Sequence, residues 1–256
     1  MTYIHRARRP DCSDEEWAMR VDLAACYRLI DAHGWCDQIY NHITARVPGT
    51  TDQFLINPFG LGYDEVCASN LVKIDLDGNV LDDSDYGINA AGYTIHSAIH
   101  SARHDAVCVL HTHTDAGVAV SCLEDGFLPM TQGGMQFYNR LAYHDYEGIA
   151  LDLSERERLI ADLGNSWAMI LRNHGLLTLG RTVGHAFSRF YYLEQACRVQ
   201  LDVMRTGAKI TLPSGQVCEH TARQWEDESE DQATTPPPEW HAYLRMMDKK
   251  DPSFRE

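Results

Sequence analysis

The stretch Val107–Gly117, VCVLHTHTDAG, limits the possible folds of this chain more than any other. Its opening run is apolar at successive positions, so as a strand it has two apolar faces and must lie centrally in a sheet covered on both sides. The run ends in two histidines one residue apart. Side chains alternate along a strand, which puts His111 and His113 on one side, about 6 to 7 Å apart along the backbone. Two imidazoles so placed can meet one cation. A His-x-His pair alone does not make a site, since a structural zinc takes four protein ligands and a catalytic zinc commonly three, with one position open.

The sequence around this strand supplies the layers it needs. SDEEWAMRVDLAACYRLIDAHGW places Ser13 and Glu16 at capping-box spacing and repeats apolar residues at Trp17, Val21, Ala24 and Leu29, an amphipathic helix ending at Gly34. NHITARV, QFLINPFG and LVKIDLDGNVL are short apolar runs broken by turn residues and read as strands, with DLDGNV a hairpin. From Ala90 to His104 the pattern returns to helix, with Ile95, Ala98, Ile99 and Ala102 on one face. SERERLIADLG starts a helix at Ser154, WAMIL is a second buried strand, and RNHGLLTLG passes through a turn into a third. VGHAFSRFYYLEQACRVQLDVMRTG is a long helix with Ala186, Phe187, Phe190, Cys197, Leu201 and Met204 inward.

Strands and helices alternating in this way predict an α/β layered domain over residues 13–210. Residues 1–12 form a basic leader. Residues 211–256 form an acidic, proline-rich extension in which EDESEDQATTPPPEW reads as a linker or surface strap and WHAYLRMMDKK as a short helix.

Charge excludes several partners. With 22 Lys and Arg against 37 Asp and Glu, the net charge of -15 argues against nucleic acid, which needs a basic patch, and against an anionic membrane surface. The leader MTYIHRARRPD has no apolar core of a signal peptide, and no stretch approaches the ~18 apolar residues of a membrane span. The eight cysteines are scattered without a C-x-x-C pair and read as reduced thiols, so the expected location is cytoplasmic.

A third ligand for the histidine pair has one strong candidate. His174 repeats the same context, an apolar strand ending in a short polar segment with a histidine before a glycine, and strand ends are where α/β sheets place their sites.

VLHTHTDAGVAVS, ILRNHGLLTLG, YNHITARVPG and FLINPFGLGYDEVCASNLVKIDLDG together resemble the class II aldolase/adducin family, over roughly Asp14 to Gly207. The resemblance implies a three-layer α/β/α fold around a mostly antiparallel sheet, generally assembled as a homotetramer with sites near subunit interfaces. It implies that His111, His113 and His174 bind a divalent metal, usually Zn2+, with Fe2+ or Mn2+ as the alternatives. Such a metal, held by neutral imidazoles, is a strong Lewis acid that polarises a substrate carbonyl and stabilises an enediolate as a neighbouring C–C bond breaks.

One motif departs from the family's enzymes. They carry an acid 19 residues before the first metal histidine, within a Ser-Ser-acid segment; here that position is Gly92, and the paired serines are Ala90 and Ala91. Without those hydroxyls, and with no Lys or Arg in the segment, a phosphorylated sugar is disfavoured, and the obvious general acid/base is absent. His100 and Tyr93 are the replacement candidates for catalysis, with His96 and Asn89 nearby; a histidine at the place of His96 is expected to support the sheet. Asn41, Asn57, Gly60, Gly92 and Gln132 are candidate substrate contacts, beside Gln136. Glu194, on the apolar face of the long helix, needs a partner, either a metal-binding histidine or a charge on a neighbouring subunit.

The expected function is a divalent-metal-dependent lyase acting on a small, non-phosphorylated hydroxy-carbonyl or carboxylic substrate. The resemblance leaves two alternatives open: a non-catalytic, adducin-like binding module, and a metal-dependent decarboxylase or oxygenase.

Overall fold

The computed structural model describes residues 9–148, 154–226 and 234–256. Most of the basic leader and part of the acidic segment before the prolines therefore lie outside the described residues. Helix α1 (Asp14–Ala32) starts where the Ser13 hydroxyl accepts a hydrogen bond from the Glu16 amide at 3.1 Å, and it runs to a left-handed Gly34. Strands β1 (His42–Arg46), β2 (Gln53–Ile56) and β3 (Val72–Asp75) follow, then helix α2 (Ala90–Ala102). Strand β4 (Cys108–Thr112) leads into the short helix α3 (Asp115–Ser121), and β5 (Leu141–His144) into α4 (Glu155–Leu163). The domain closes with β6 (Ala168–Leu171), β7 (Gly175–Gly180) and the long α5 (Val183–Arg205).

These strands form one seven-stranded sheet in the order β3-β2-β1-β4-β7-β6-β5, so β4 is the middle strand, as its two apolar faces require. Every neighbouring pair is antiparallel except β5 and β6. Cys108 and Leu110 point into a core shared with Leu29, Phe187 and Phe190 of α1 and α5, whereas Val109 points the other way, toward Ile99 of α2 and Leu163 of α4. The architecture is the expected α/β/α sandwich around a mostly antiparallel sheet.

Two elements carried too weak a pattern to be read from the sequence. DAGVAVS forms α3 because the Thr114 side chain caps it, accepting from the Gly117 amide at 3.2 Å; its small residues show little helical periodicity. LAYH becomes β5 only by pairing in parallel with β6. The DLDGNV segment turns as expected, with Gly78 left-handed and the Asp75 amide donating to the Asn79 carbonyl at 3.1 Å, but its return arm is a single bridge from Val80 to Ile74. On α5 the buried stripe ends before Met204, which is exposed because the helix outruns the layer beneath it.

Residues beyond 210 add α6 (Gly215–Trp225) and α7 (Pro238–Lys250). Helix α7 packs on α1 and α5: Trp240 is buried and its indole N–H donates to Asp22 at 3.2 Å. The last residues return to the domain, where the Ala68 and Ser69 amides donate to the Phe254 and Glu256 carbonyls at 3.0 and 2.8 Å. All eight cysteines are free thiols, and among the described residues no helix is long and apolar enough to cross a membrane.

Candidate metal centre

His111 is the fourth residue of β4, His113 follows the strand, and His174 stands in the tight turn between β6 and β7. Because β4 and β7 are hydrogen-bonded neighbours, with His111 opposite Leu177, the turn before β7 arrives beside the end of β4. Asn173, left-handed at φ 56°, makes that turn, and its amide donates to the Ser121 carbonyl at the end of α3 at 3.4 Å. Gly175 is needed next to it. A Cβ there would lie 2.4 Å from the Thr112 carbonyl oxygen and 3.3 to 3.4 Å from the rings of His113 and His111.

The three imidazoles converge, their candidate ligand atoms lying within 4.8 Å of one another. His113 Nε2 stands 2.9 Å from Nε2 of both His111 and His174. The opposite ring nitrogens of two of them are already engaged. His111 Nδ1 donates to the Leu176 carbonyl and His113 Nδ1 donates to the Asp37 carboxylate, each at 2.9 Å. A neutral imidazole has one proton, and spending it on Nδ1 leaves Nε2 as a bare acceptor. Lone pairs facing each other at that distance repel unless a proton or a cation lies among them, and three such nitrogens are the donor set of an open divalent-metal site. The residues therefore fit a metal by the chemistry of their donors.

Electrostatics favours the neutral, ligating form. Burial, with the neighbouring His174 and His113 charges, holds His111 well below the ordinary histidine range; burial also lowers His174 to about 4. The centre opens on one side. His111 is fully buried, while His113 and His174 are only partly so, and the exposed Tyr146 stands edge-on to His174 at 6.3 Å between centroids.

The other candidate residues are distributed unevenly around this centre. Asn41 is one bond removed from it: its side-chain oxygen accepts from the backbone amide of Asp37 at 2.6 Å, and Asp37 is the carboxylate behind His113. The Asn41 amide nitrogen is buried without a hydrogen-bond partner. Gly92 is buried at the start of α2, against the ring of His42. His100 is not brought to the triad. It stacks on Phe54 at 4.4 Å, and the Thr44 hydroxyl bridges its Nε2 at 2.8 Å and His96 Nδ1 at 2.7 Å, further along β1 from the metal end. His96 thus supports the sheet as expected.

Tyr93 packs on the turn at Gly78 and lies under the Arg156 guanidinium. Asn57 accepts a hydrogen bond from the buried Tyr27 hydroxyl at 2.9 Å. Gly60 is left-handed and exposed, Gln132 is exposed, and Gln136 donates to the Gly133 carbonyl at 2.8 Å. Asn89 donates to the Tyr40 carbonyl at 3.4 Å. Glu194 accepts from the Thr114 hydroxyl at 2.5 Å, and burial raises its pKa against the lowering effect of that hydroxyl and of the Arg198 charge.

Two residues beside the triad were not singled out by sequence. Asp37 lies in the irregular CDQIYN segment, where nothing marks a carboxylate as a histidine's partner. His42 follows Asn41 at the start of β1 and pairs directly with His111. A polar residue at an inward position of a covered strand was the available signal for it.

Comparison with known proteins gives these contacts a context. Residues 21–201 match the model of the Class II Aldolase and Adducin N-terminal domain. An aldolase II superfamily protein from Pseudomonas syringae is 49% identical in sequence and superposes with a TM-score of 0.89, covering 96% of this chain and 98% of that one. L-fuculose 1-phosphate aldolase from Glaciozyma antarctica is 26% identical, with a TM-score of 0.82 and 98% of each chain covered. Alpha-adducin of Rattus norvegicus is 47% identical over 73% of this chain, which spans 26% of that protein.

Proposed function

Because the chain belongs to the class II aldolase and adducin family, we propose that it is a divalent-metal-dependent lyase that cleaves a C–C bond in a small, non-phosphorylated hydroxy-carbonyl or carboxylic substrate. The observation that carries this reading is the convergence of three Nε2 atoms, with the opposite nitrogens of His111 and His113 committed elsewhere. His111, His113 and His174 would hold the ion. Bound there, the ion would supply Lewis-acid chemistry toward a substrate carbonyl.

The chain's own residues set the conditions. The Leu176 carbonyl fixes the His111 ring, and Asp37 fixes that of His113. Burial of His111 against β7 keeps water from that side, and the partly exposed His113 and His174 leave the opposite side open to substrate. Specificity for a non-phosphorylated substrate rests on Ala90, Ala91 and Gly92, which offer no hydroxyl, acid or cation to a phosphate. Zinc is the favoured ion, a cytoplasmic homotetramer the favoured form.

The test is turnover. Zinc-, iron- and manganese-loaded protein is incubated with a panel of hydroxy-keto acids, hydroxy-aldehydes and aromatic acids, and aldehyde, ketone and CO2 release are measured. Metal-dependent aldehyde release that chelation abolishes and His113→Ala reduces by at least about 100-fold is expected. Release of CO2, or oxygen uptake with iron, would replace the lyase reading by a decarboxylase or oxygenase. A second reading, a non-catalytic binding module, draws on the 47% identity to alpha-adducin, and loaded protein inert toward the whole panel would favour it.

A further inference from the structure

Position 92 is closed to any side chain by another imidazole. A Cβ on residue 92 would fall 2.5 to 2.6 Å from the Nδ1, Cε1 and Cγ atoms of His42, so the ring would have to move to admit it. His42 is the cross-strand partner of His111 in the β1–β4 ladder, so the two side chains leave the same face of the sheet, toward α2. Their ring centroids are 5.4 Å apart, against 4.7 to 4.8 Å within the triad.

The orientation of the ring leaves one nitrogen unspent. His42 Nδ1 donates to the Tyr40 carbonyl at 3.2 Å, which makes Nε2 an acceptor. That Nε2 is buried and has no hydrogen-bond partner among the described residues. The residue is 4% exposed, so water does not satisfy it from outside. A buried acceptor without a donor costs about 1 to 3 kcal/mol, and this one belongs to a ring on the sheet face that carries His111, between His111 at 5.4 Å and His96 at 4.6 Å. His111 and His113 show the same device: the Nδ1 proton is spent on an oxygen and Nε2 is left bare.

We propose that His42 is a fourth protein ligand of this metal centre, a nitrogen donor standing in the volume that a side chain on residue 92 would otherwise enter. Gly92 and His42 are then one unit: the glycine exists to admit the imidazole, and an acid at 92 and a ring at 42 exclude each other. Four nitrogens change what the centre selects, favouring ions that accept an all-imidazole set over those that prefer oxygen. This inference rests on the triad binding a metal, and not on the lyase reading.

The experiment uses the full chain loaded with Co2+, whose visible absorption reports the donors around it, together with competition against a metal chelator to obtain Kd. Wild type is expected to bind one Co2+ per chain. In His42→Ala the d–d bands shift and Kd rises at least about ten-fold, while the far-ultraviolet circular dichroism is unchanged. Added imidazole restores the wild-type bands. Gly92→Ala, whose new methyl displaces the ring, gives the same spectral shift, and Gly92→Glu combined with His42→Ala binds Co2+ with bands of an oxygen donor. Should His42→Ala fail to fold, His42→Asn is read in the same assay. Unchanged bands and Kd in a folded His42 variant overturn the proposal. Wild type that binds no Co2+ overturns the triad reading beneath it.

Discussion

At the scale of single residues, the centre depends on groups that never touch the ion. Asp37 turns the His113 ring and holds its proton, so Asp37→Ala is expected to weaken metal binding by about 10- to 100-fold while leaving the fold intact, as measured by titration calorimetry. Gly175 has a steric role. The methyl of Gly175→Ala would stand 2.4 Å from the Thr112 carbonyl, an overpacking expected to cost about 1 to 3 kcal/mol in urea unfolding. The three ligand candidates were legible because histidine, spacing and strand end occur together in VLHTH and ILRNHG. Asp37 and His42 were not, because their partnership with the triad is created by β1 lying against β4, a pairing no local pattern states. The departure at Gly92 was visible in sequence as a missing acid, and the ring that fills its place required coordinates.

Among the secondary elements, the face between β1 and α2 carries acid-sensitive histidines. Burial first, then the nearby Arg46 charge, lowers His100 from 6.5 to about 3, and the adjacent His96 is also held low by burial. Between those two values the unfolded chain binds a proton at this histidine and the folded chain does not. Stability contributed by the neutral His100 is therefore complete above about pH 6.5 and falls as pH drops toward 3, by about 1.4 kcal/mol per pH unit. Chelator-treated wild type should show this decline in urea midpoints between pH 7 and 4, and His100→Leu should make it shallower by about 1.4 kcal/mol per pH unit; an equally steep decline in the variant would place the acid sensitivity elsewhere. Strong elements such as α1, α2, α5 and β4 were readable from periodicity. The four residues of β5 were not, since they become a strand only through β6.

For the molecule as a whole, the segment after residue 233 belongs to the body of the domain. Trp240, Met247 and Phe254 are each at most 2% exposed, and full burial of a large apolar side chain contributes roughly 1.5 to 3 kcal/mol. A chain ending at residue 233 should therefore lose several kcal/mol and melt well below wild type by calorimetry. The sheet end that carries the triad is built from β4, β6 and β7 and should still bind metal below that lowered transition. The sandwich itself was legible from the alternation of strands and helices, while the return of α7 onto α1 and α5 follows from contacts far apart in sequence, such as Trp240 with Asp22.

The central claim is that His111, His113 and His174 form one divalent-metal site, and metal stoichiometry tests it most directly. Purified protein equilibrated with zinc, dialysed and analysed by plasma mass spectrometry should retain one ion per chain. His111→Ala, His113→Ala and His174→Ala should each retain almost none while keeping the wild-type circular dichroism. Wild type without stoichiometric metal, or a folded triple variant that retains as much as wild type, would contradict it.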